Sequence, residues 1–268
     1  MEKAEHSAGT GFTPEWFNDE NFWQRFAPIM FDDRHWEEVP SVADGITRLA
    51  KLPLYGDAAP RNAPRCLDLC CGFGRIGLEL ARRGFSVSGV DITETYLETG
   101  RRDAAAENLD VTFIKADARS FCQKEAFDIA LNCYISFGYF ADRAGDRRLV
   151  QNAYDSLTSG GTFFIETQGK ETAARDFTPG EWFFRAGFYV LTSYRVVDSW
   201  DALENTWRLF DDNGASAEKT FTCRLYSASE LRSLLLETGF AAVEIYGDWD
   251  ESPYDEKAKK LIVLGRKR

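Results

Sequence analysis

Five short apolar runs, separated by stretches of helical character, set the tightest limit on what this chain can fold into. They read RCLDLC (65–70), FSVSGVD (85–91), VTFIKA (111–116), FDIALN (127–132) and GTFFIET (161–167). Helical stretches fall between them near 74–83, 94–107 and 142–158, with a shorter turn after Asp117. Nearly continuous β-branched and aromatic runs suit strands buried on both faces, and the intervening helices are the crossovers that parallel strands require. The pattern predicts an α/β fold with a doubly wound parallel sheet. A chain of 268 residues, 44% of them hydrophobic, holds one such fold with additions.

The additions flank and interrupt the alternation. Residues 1–13 read as disordered. Asn18 or Asp19 caps a short helix with Phe22, Trp23 and Phe26 on one face, expected to stop at Pro28. A second helix follows Pro40 with Val42, Ile46 and Leu49 in register, and the proline-rich stretch 52–65 reads as a linker. After residue 180 the period changes to that of strands, over 187–197, 205–211 and 218–226, with a hairpin turn at DDNGAS (211–216). A helix at 227–238, a strand at 240–247, a loop to 259 and a last strand from 260 close the chain. The expected organisation is an aromatic helical cap (1–52), an α/β core (53–180), an antiparallel β insertion on the acceptor side (181–226) and a completion of the core (227–268).

Charge and cysteines exclude several classes. A net charge of −11 repels nucleic acid, and the basic clusters are only short pairs such as Arg82-Arg83 and Arg147-Arg148. No apolar run approaches the length of a membrane span, and MEKAEHSAGT lacks the apolar stretch of a secretory signal. Six cysteines form no C-x-x-C pair, so no metal is expected. Adjacent Cys70 and Cys71 bridge each other only under strain and read as small packing residues. A cytoplasmic protein with reduced thiols, monomeric or homodimeric, is the simplest expectation.

The loop after the first strand, CLDLCCGFGRIG (66–77), fits the G-x-G-x-x-G pattern of a dinucleotide turn at Gly72, Gly74 and Gly77. That backbone serves any ligand held at a helix N-terminus, so it does not decide between nicotinamide and other adenosyl cofactors. Asp91 follows Gly72 by 19 residues and accepts ribose hydroxyl hydrogen bonds in either case. Asp68 separates them. A carboxylate this close to a pyrophosphate is unfavourable, whereas an ammonium and a sulfonium favour it. Asp117, in KADAR, is placed to accept from an adenine amine, and the core carries no histidine for hydride chemistry, since the chain has only His6 and His35.

With these residues the chain resembles the class I S-adenosylmethionine-dependent methyltransferases, of a bacterial small-molecule branch. The likeness rests on LDLCCGFGR (67–75), GVD (89–91), KADAR (115–119), FDIALNCYISFGYF (127–140), LTSGGTFFIET (157–167) and the closing segment from Arg224. It implies a seven-stranded Rossmann-like sheet of order 3-2-1-4-5-7-6, the last strand antiparallel. It also implies that Asp68 faces the methionine amino group and that the backbone at Cys70, Gly72 and Gly74 wraps methionine and ribose. Asp91 would hold the ribose, Ile92, Asp117 and Ala118 the adenine, and Asn132 and Cys133 would lie near the sulfonium. Cys70 stands where most of these enzymes have glycine.

The acceptor side is read from residue types. Tyr134, Ser136 and Tyr139, in NCYISFGYF, sit where an acceptor approaches the methyl group, with the tyrosines as candidate proton acceptors or simply as wall. The aromatic cluster from Trp16 to Trp36, including Trp23 and Phe26, is either a lid over cofactor and acceptor or a helix pair packed permanently on the sheet. His35 is the histidine within reach of such a pocket and a candidate general base. Glu166, at the end of the fifth strand, is a pocket candidate, and Arg195, Arg208 and Arg224 are candidate carboxylate clamps. The expected function is methyl transfer to a small-molecule N, O or S nucleophile. The alternatives are a cyclase or lyase that consumes S-adenosylmethionine and releases methylthioadenosine, and a non-catalytic binder of the same molecule.

Overall fold

The computed structural model of the protein describes residues 15–51, 63–212, 214 and 216–268. Residues 1–13 and most of the 52–65 linker lie outside the described residues. Three helices open the described chain: α1 (Glu20–Met30), α2 (Asp33–Glu37) and α3 (Val39–Ala50). The alternating core follows as β1 (Arg65–Leu69), α4 (Arg75–Arg82), β2 (Ser86–Asp91), α5 (Glu94–Glu107), β3 (Val111–Lys115), β4 (Phe127–Asn132), α6 (Arg143–Ser156) and β5 (Leu157–Thr167). After α7 (Lys170–Arg175) come β6 (Gly180–Arg185), β7 (Phe188–Val197), β8 (Ala202–Phe210) and β9 (Ser216–Arg224). Helix α8 (Ala228–Thr238), β10 (Ala242–Tyr246) and β11 (Leu261–Arg266) complete the chain.

The main sheet has seven strands in the order β10-β11-β5-β4-β1-β2-β3, with β11 antiparallel to both its neighbours. That is the order expected from the sequence, β10 and β11 being its sixth and seventh strands. Its centre is packed dry: Phe163, Phe164 and Ile165 of β5 and Leu67 and Leu69 of β1 are fully buried. Each such side chain contributes roughly 1.5–3 kcal/mol of burial. Strand β1 pairs parallel with β2 on one side and with β4 on the other, so the strand order reverses between β1 and β4. In open α/β sheets the ligand crevice lies at the carboxyl ends of the strands at such a reversal.

Strands β6 to β9 form a separate four-stranded antiparallel sheet. Its inner face, including Val190, Leu209 and Phe221, joins the core cluster that holds Phe22 and Phe26. The chain leaves the core at Gly169 and returns beside it at Tyr226, where the two residues form a parallel bridge and Lys170 N donates to Tyr226 O at 3.0 Å.

Three local expectations need correction. Helix α1 does not stop at Pro28 but runs to Met30, capped at its start by Asp19, whose side chain accepts from Phe22 N. A proline in the last turn removes one bond near an end that already lacks partners. Strand β6 is absent from the sequence reading because Trp182 and Phe184 face outward, 70% and 58% exposed, against the usual pattern of burial. The short helices α2 and α7 are likewise additions. Among the described residues no helix is long and apolar enough to cross a membrane.

Candidate active site

At the carboxyl end of β1 the chain turns through three left-handed positions, Cys70 (φ 60°), Gly72 (φ 57°) and Gly74 (φ 77°), before entering α4. Glycine adopts this region freely, whereas a residue with a Cβ pays roughly 1–2 kcal/mol. Cys70 therefore carries strain at the position where glycine is the common residue. At Gly72 a Cβ would also lie 3.1 Å from the Phe31 ring, which covers the turn. The Gly72 amide donates to Asp91 Oδ2 at 2.8 Å, and Thr93 N donates to Asp91 Oδ1 at 2.8 Å, fixing that carboxylate at the end of β2. Burial pushes the Asp91 carboxyl up against these hydrogen bonds.

Asp68 is 3% exposed on β1, and burial, reinforced by the negative charge of Asp91, pushes its carboxyl up to about 7. Arg75, the first residue of α4, acts in the opposite direction. A cation there opposes the helix dipole, yet Arg75 is 5% exposed, with its guanidinium 4.2 Å from the Tyr134 ring centre and 4.9 Å from that of Phe31. Its Nη1 donates to His35 O at 2.6 Å. Burial pushes the Cys70 and Cys71 thiols upward, so neither is a thiolate at neutral pH.

The far wall begins where β4 ends. Tyr134 and Ile135 are successive left-handed residues (φ 56° and 60°), held because Tyr134 N donates to Glu166 Oε2 at 2.6 Å and Ile135 N to Glu166 O at 3.2 Å. Lys260, just before β11, stands 3.5 Å from Glu166 Oε1. Ser136 Oγ donates to Cys133 O at 2.9 Å. Asp117 is engaged by Arg119, whose Nε lies 3.0 Å from Oδ2; burial raises this carboxyl, but the Arg119 hydrogen bonds outweigh burial and hold it below the ordinary range. Arg119 also reaches Glu15 Oε1 at 3.0 Å, tying the N-terminal segment to this end.

Most of these groups line one cavity of about 790 Å³. Its roof is aromatic: Trp16 stacks on Phe221 of β9 at 4.5 Å and meets Tyr139 at 4.7 Å, and Lys219 Nζ holds Asp19 Oδ2 at 2.6 Å. Of the residues singled out in the sequence, Asp68, Cys70, Gly72, Asp91, Ile92, Asp117, Ala118, Cys133, Tyr134, Ser136, Tyr139, Glu166, Trp23 and His35 all line it. Three do not. Phe26 is 1% exposed within the core, Gly74 faces the Phe113 ring, and Asn132 is fully buried with its Nδ2 donating to Leu69 O at 3.1 Å. Of the candidate clamps, Arg195 and Arg208 are spent on Glu204 and Glu218 across the antiparallel sheet, whereas Arg224, bonded to Asp146, reaches the cavity edge. Arg75, Lys260 and Arg185 are charged cavity groups that the sequence reading did not select, because their partners come from remote elements.

A doubly wound sheet with acids closing β1 and β2 around a left-handed turn, opening on a cavity at the strand reversal, defines an enzyme that binds an adenosyl cofactor. The residues fit S-adenosylmethionine in particular, since a buried carboxyl held near 7 beside the turn is what a ligand ammonium would ionise and pair with. A family model described as a methyltransferase domain matches residues 66–161. The carboxy-S-adenosyl-L-methionine synthase of Wolinella succinogenes is 29% identical over 250 residues, covering 89% of this chain and 92% of that protein. Among solved structures, the CcbJ methyltransferase of Streptomyces caelestis superposes with a TM-score of 0.73 at 18% identity, covering 86% of this chain and 95% of its own. An amino pentose methyltransferase of Micromonospora echinaspora, solved with S-adenosylmethionine bound, gives 0.65 at 20% identity, with 91% and 96% covered. The matched domain and these relatives support placing the chain with the class I S-adenosylmethionine-dependent methyltransferases. It is an enzyme, and its cofactor is S-adenosylmethionine.

Proposed function

We propose that the acceptor is a small molecule and that the methyl group goes to a nitrogen, oxygen or sulfur nucleophile on it. The observation that carries this reading is the cavity wall: Trp16, Tyr139 and Phe221 pack on one another along the cavity that the glycine turn opens into, and its volume of about 790 Å³ suits a cofactor with a small acceptor. The net charge of −11 opposes an anionic polymer in the same sense.

When bound, S-adenosylmethionine supplies a methyl group already activated on a sulfonium. In this reading Asp68 takes its ammonium, the Cys70 and Gly72 backbone borders methionine and ribose, and Asp91 accepts from the ribose hydroxyls. Ile92, Asp117 and Ala118 border the adenine, and Cys133 stands near the reacting end. Tyr134, Ser136, Tyr139, Trp23 and Glu166 make the acceptor wall, with the antiparallel strands behind it. Alignment and exclusion of water then provide most of the rate.

The test is incubation of the protein with S-adenosylmethionine, with and without a panel of small amines, alcohols and thiols, following both nucleoside products. S-adenosylhomocysteine that forms only with acceptor supports the reading, and failure to bind S-adenosylhomocysteine in calorimetry overturns it. A second reading, in which S-adenosylmethionine is itself remodelled, is favoured by the likeness to a carboxy-S-adenosyl-L-methionine synthase along 89% of the chain. Methylthioadenosine, or another modified sulfonium, formed with no acceptor present would establish it instead.

A further inference from the structure

His35 stands in the cavity wall in a setting built around one nitrogen. Asp32 caps α2, and its Oδ1 accepts from both the backbone N of His35, at 3.1 Å, and the ring Nδ1 of the same residue. The second oxygen of Asp32 is held by Arg185 Nε of β6 at 3.2 Å. Both carboxylate oxygens are thereby committed, and the imidazole is locked by a residue on its own turn and by a strand of the antiparallel sheet. With Nδ1 turned to Asp32, the proton on the neutral ring is held at Nδ1 and the lone pair is left at Nε2. Nε2 makes no hydrogen bond among the described residues, and His35 is one of the residues that line the cavity.

In the cofactor pose proposed above, with the ammonium at Asp68, the position is the methionine end rather than the adenine end. The carbonyl of His35 takes the Arg75 guanidinium, which also covers Tyr134, and the His35 and Tyr134 rings are 6.4 Å apart. The charged and titratable groups that face His35 are Asp32 and Arg34 on its own segment, Arg75 from α4, Tyr134 from the end of β4, Glu38 beyond α2 and, through Asp32, Arg185. Burial is the largest influence and pushes the imidazole below its usual value; Asp32 raises it, and Arg75 and Arg34 lower it again. The ring is neutral at pH 7.

We propose that His35, oriented by Asp32, is the proton acceptor of the methyl transfer, so that the acceptor class is a protic nitrogen or oxygen nucleophile. This rests on the small-molecule reading above. The bond that forms joins the acceptor atom to the methyl carbon, the bond that breaks leaves its electron pair on sulfur, and the proton of the acceptor atom passes to Nε2. The imidazolium so formed is paired with Asp32 and then releases the proton to solvent. A thiol of low pKa reacts as its thiolate and gains nothing from this arrangement.

The chain has only two histidines, which makes the first arm of the test direct. With ¹⁵N-histidine in the full-length protein saturated with S-adenosylhomocysteine, the ring of one histidine is expected to show protonated Nδ1 and bare Nε2 at pH 7, with a midpoint below the ordinary 6.5. That signal disappears in His35→Asn, and in Asp32→Asn the midpoint falls further. A bare Nδ1 with protonated Nε2 overturns the proposal. In the second arm, S-adenosylhomocysteine release is followed with benzylamine, catechol and thiophenol as probes. His35→Asn lowers kcat with benzylamine and catechol by about 100-fold, a usual worth for a general base, and leaves KM for S-adenosylmethionine and turnover of thiophenol within about twofold. Equal loss on all three probes, or none on any, overturns the proposal while leaving the methyltransferase reading intact. Loss of S-adenosylhomocysteine binding by the wild-type protein would sink that reading instead.

Discussion

If Asp68 takes the ligand ammonium as proposed, cofactor binding depends on pH, with a sign that its raised carboxyl fixes. In the free protein burial holds this carboxyl at about 7 against an ordinary 3.8. A raised carboxyl favours the folded state fully only below 3.8, and that advantage is lost as pH rises through 7. Over this interval of about three units, at 1.36 kcal/mol each, the free protein forgoes up to about 4 kcal/mol. A ligand that places an ammonium against Asp68 selects its ionised form. Its affinity then scales with the ionised fraction, and between pH 5.5 and 7.5 it should rise about 25-fold for a midpoint of 7. The assay is calorimetry with S-adenosylhomocysteine across that range, in two buffers of different ionisation enthalpy. At pH 7 about half a proton per site should be released on binding. Asp68→Asn should bind about 10–100-fold more weakly at pH 7.5, as expected for loss of one charge-assisted hydrogen bond, with a much flatter profile. A flat wild-type profile, or the same slope in Asp68→Asn, would refute the pairing of Asp68 with the ligand ammonium.

Two further outcomes concern the frame. Arg224→Met removes the partner of Asp146, which is fully buried and otherwise held by Tyr226 OH at 2.7 Å. It should lower stability by about 3 kcal/mol at pH 7 in urea unfolding, less below pH 4, and Arg224→Met/Asp146→Leu should recover part of the loss. Gly74→Ala puts a Cβ 2.5 Å from the buried Phe113 ring at a φ of 77°. About 2–4 kcal/mol should be lost, read as a fall in Tm; an unchanged Tm would mean that the turn is far more plastic than its packing suggests.

The parallel sheet was legible because its strands are buried on both faces, so composition and position agree: β1, β2, β3 and β4 fall where apolar runs predict them. The antiparallel sheet was legible only in part. Strands β7, β8 and β9 alternate, whereas β6 exposes Trp182 and Phe184, follows Pro179 and opens on Gly180, two residues that read as punctuation. The same division runs through the cavity. Asp68 and Asp91 could be picked out because each lies at or next to the end of a strand of recognisable type. Arg75 and Lys260 could not, since their surroundings are made by Tyr134 and Glu166, distant in sequence. Phe26 shows the opposite failure: its spacing on α1 marks an apolar face but not whether that face meets a cavity or the core.

The bridge between Gly169 and Tyr226 has a consequence for how such a protein diversifies. Because the chain departs and returns at adjacent points, the whole antiparallel segment hangs from the core like a handle from two rivets. Lengthening, shortening or replacing it changes a loop whose ends stay put, and the entropy of closing such a loop grows only slowly with its length. The register of the parallel strands, and with it the spacing of Asp68 from Asp91, is set elsewhere, by β1 against β2. One half of the chamber can therefore drift in shape over generations while the other keeps its grip on the same ligand.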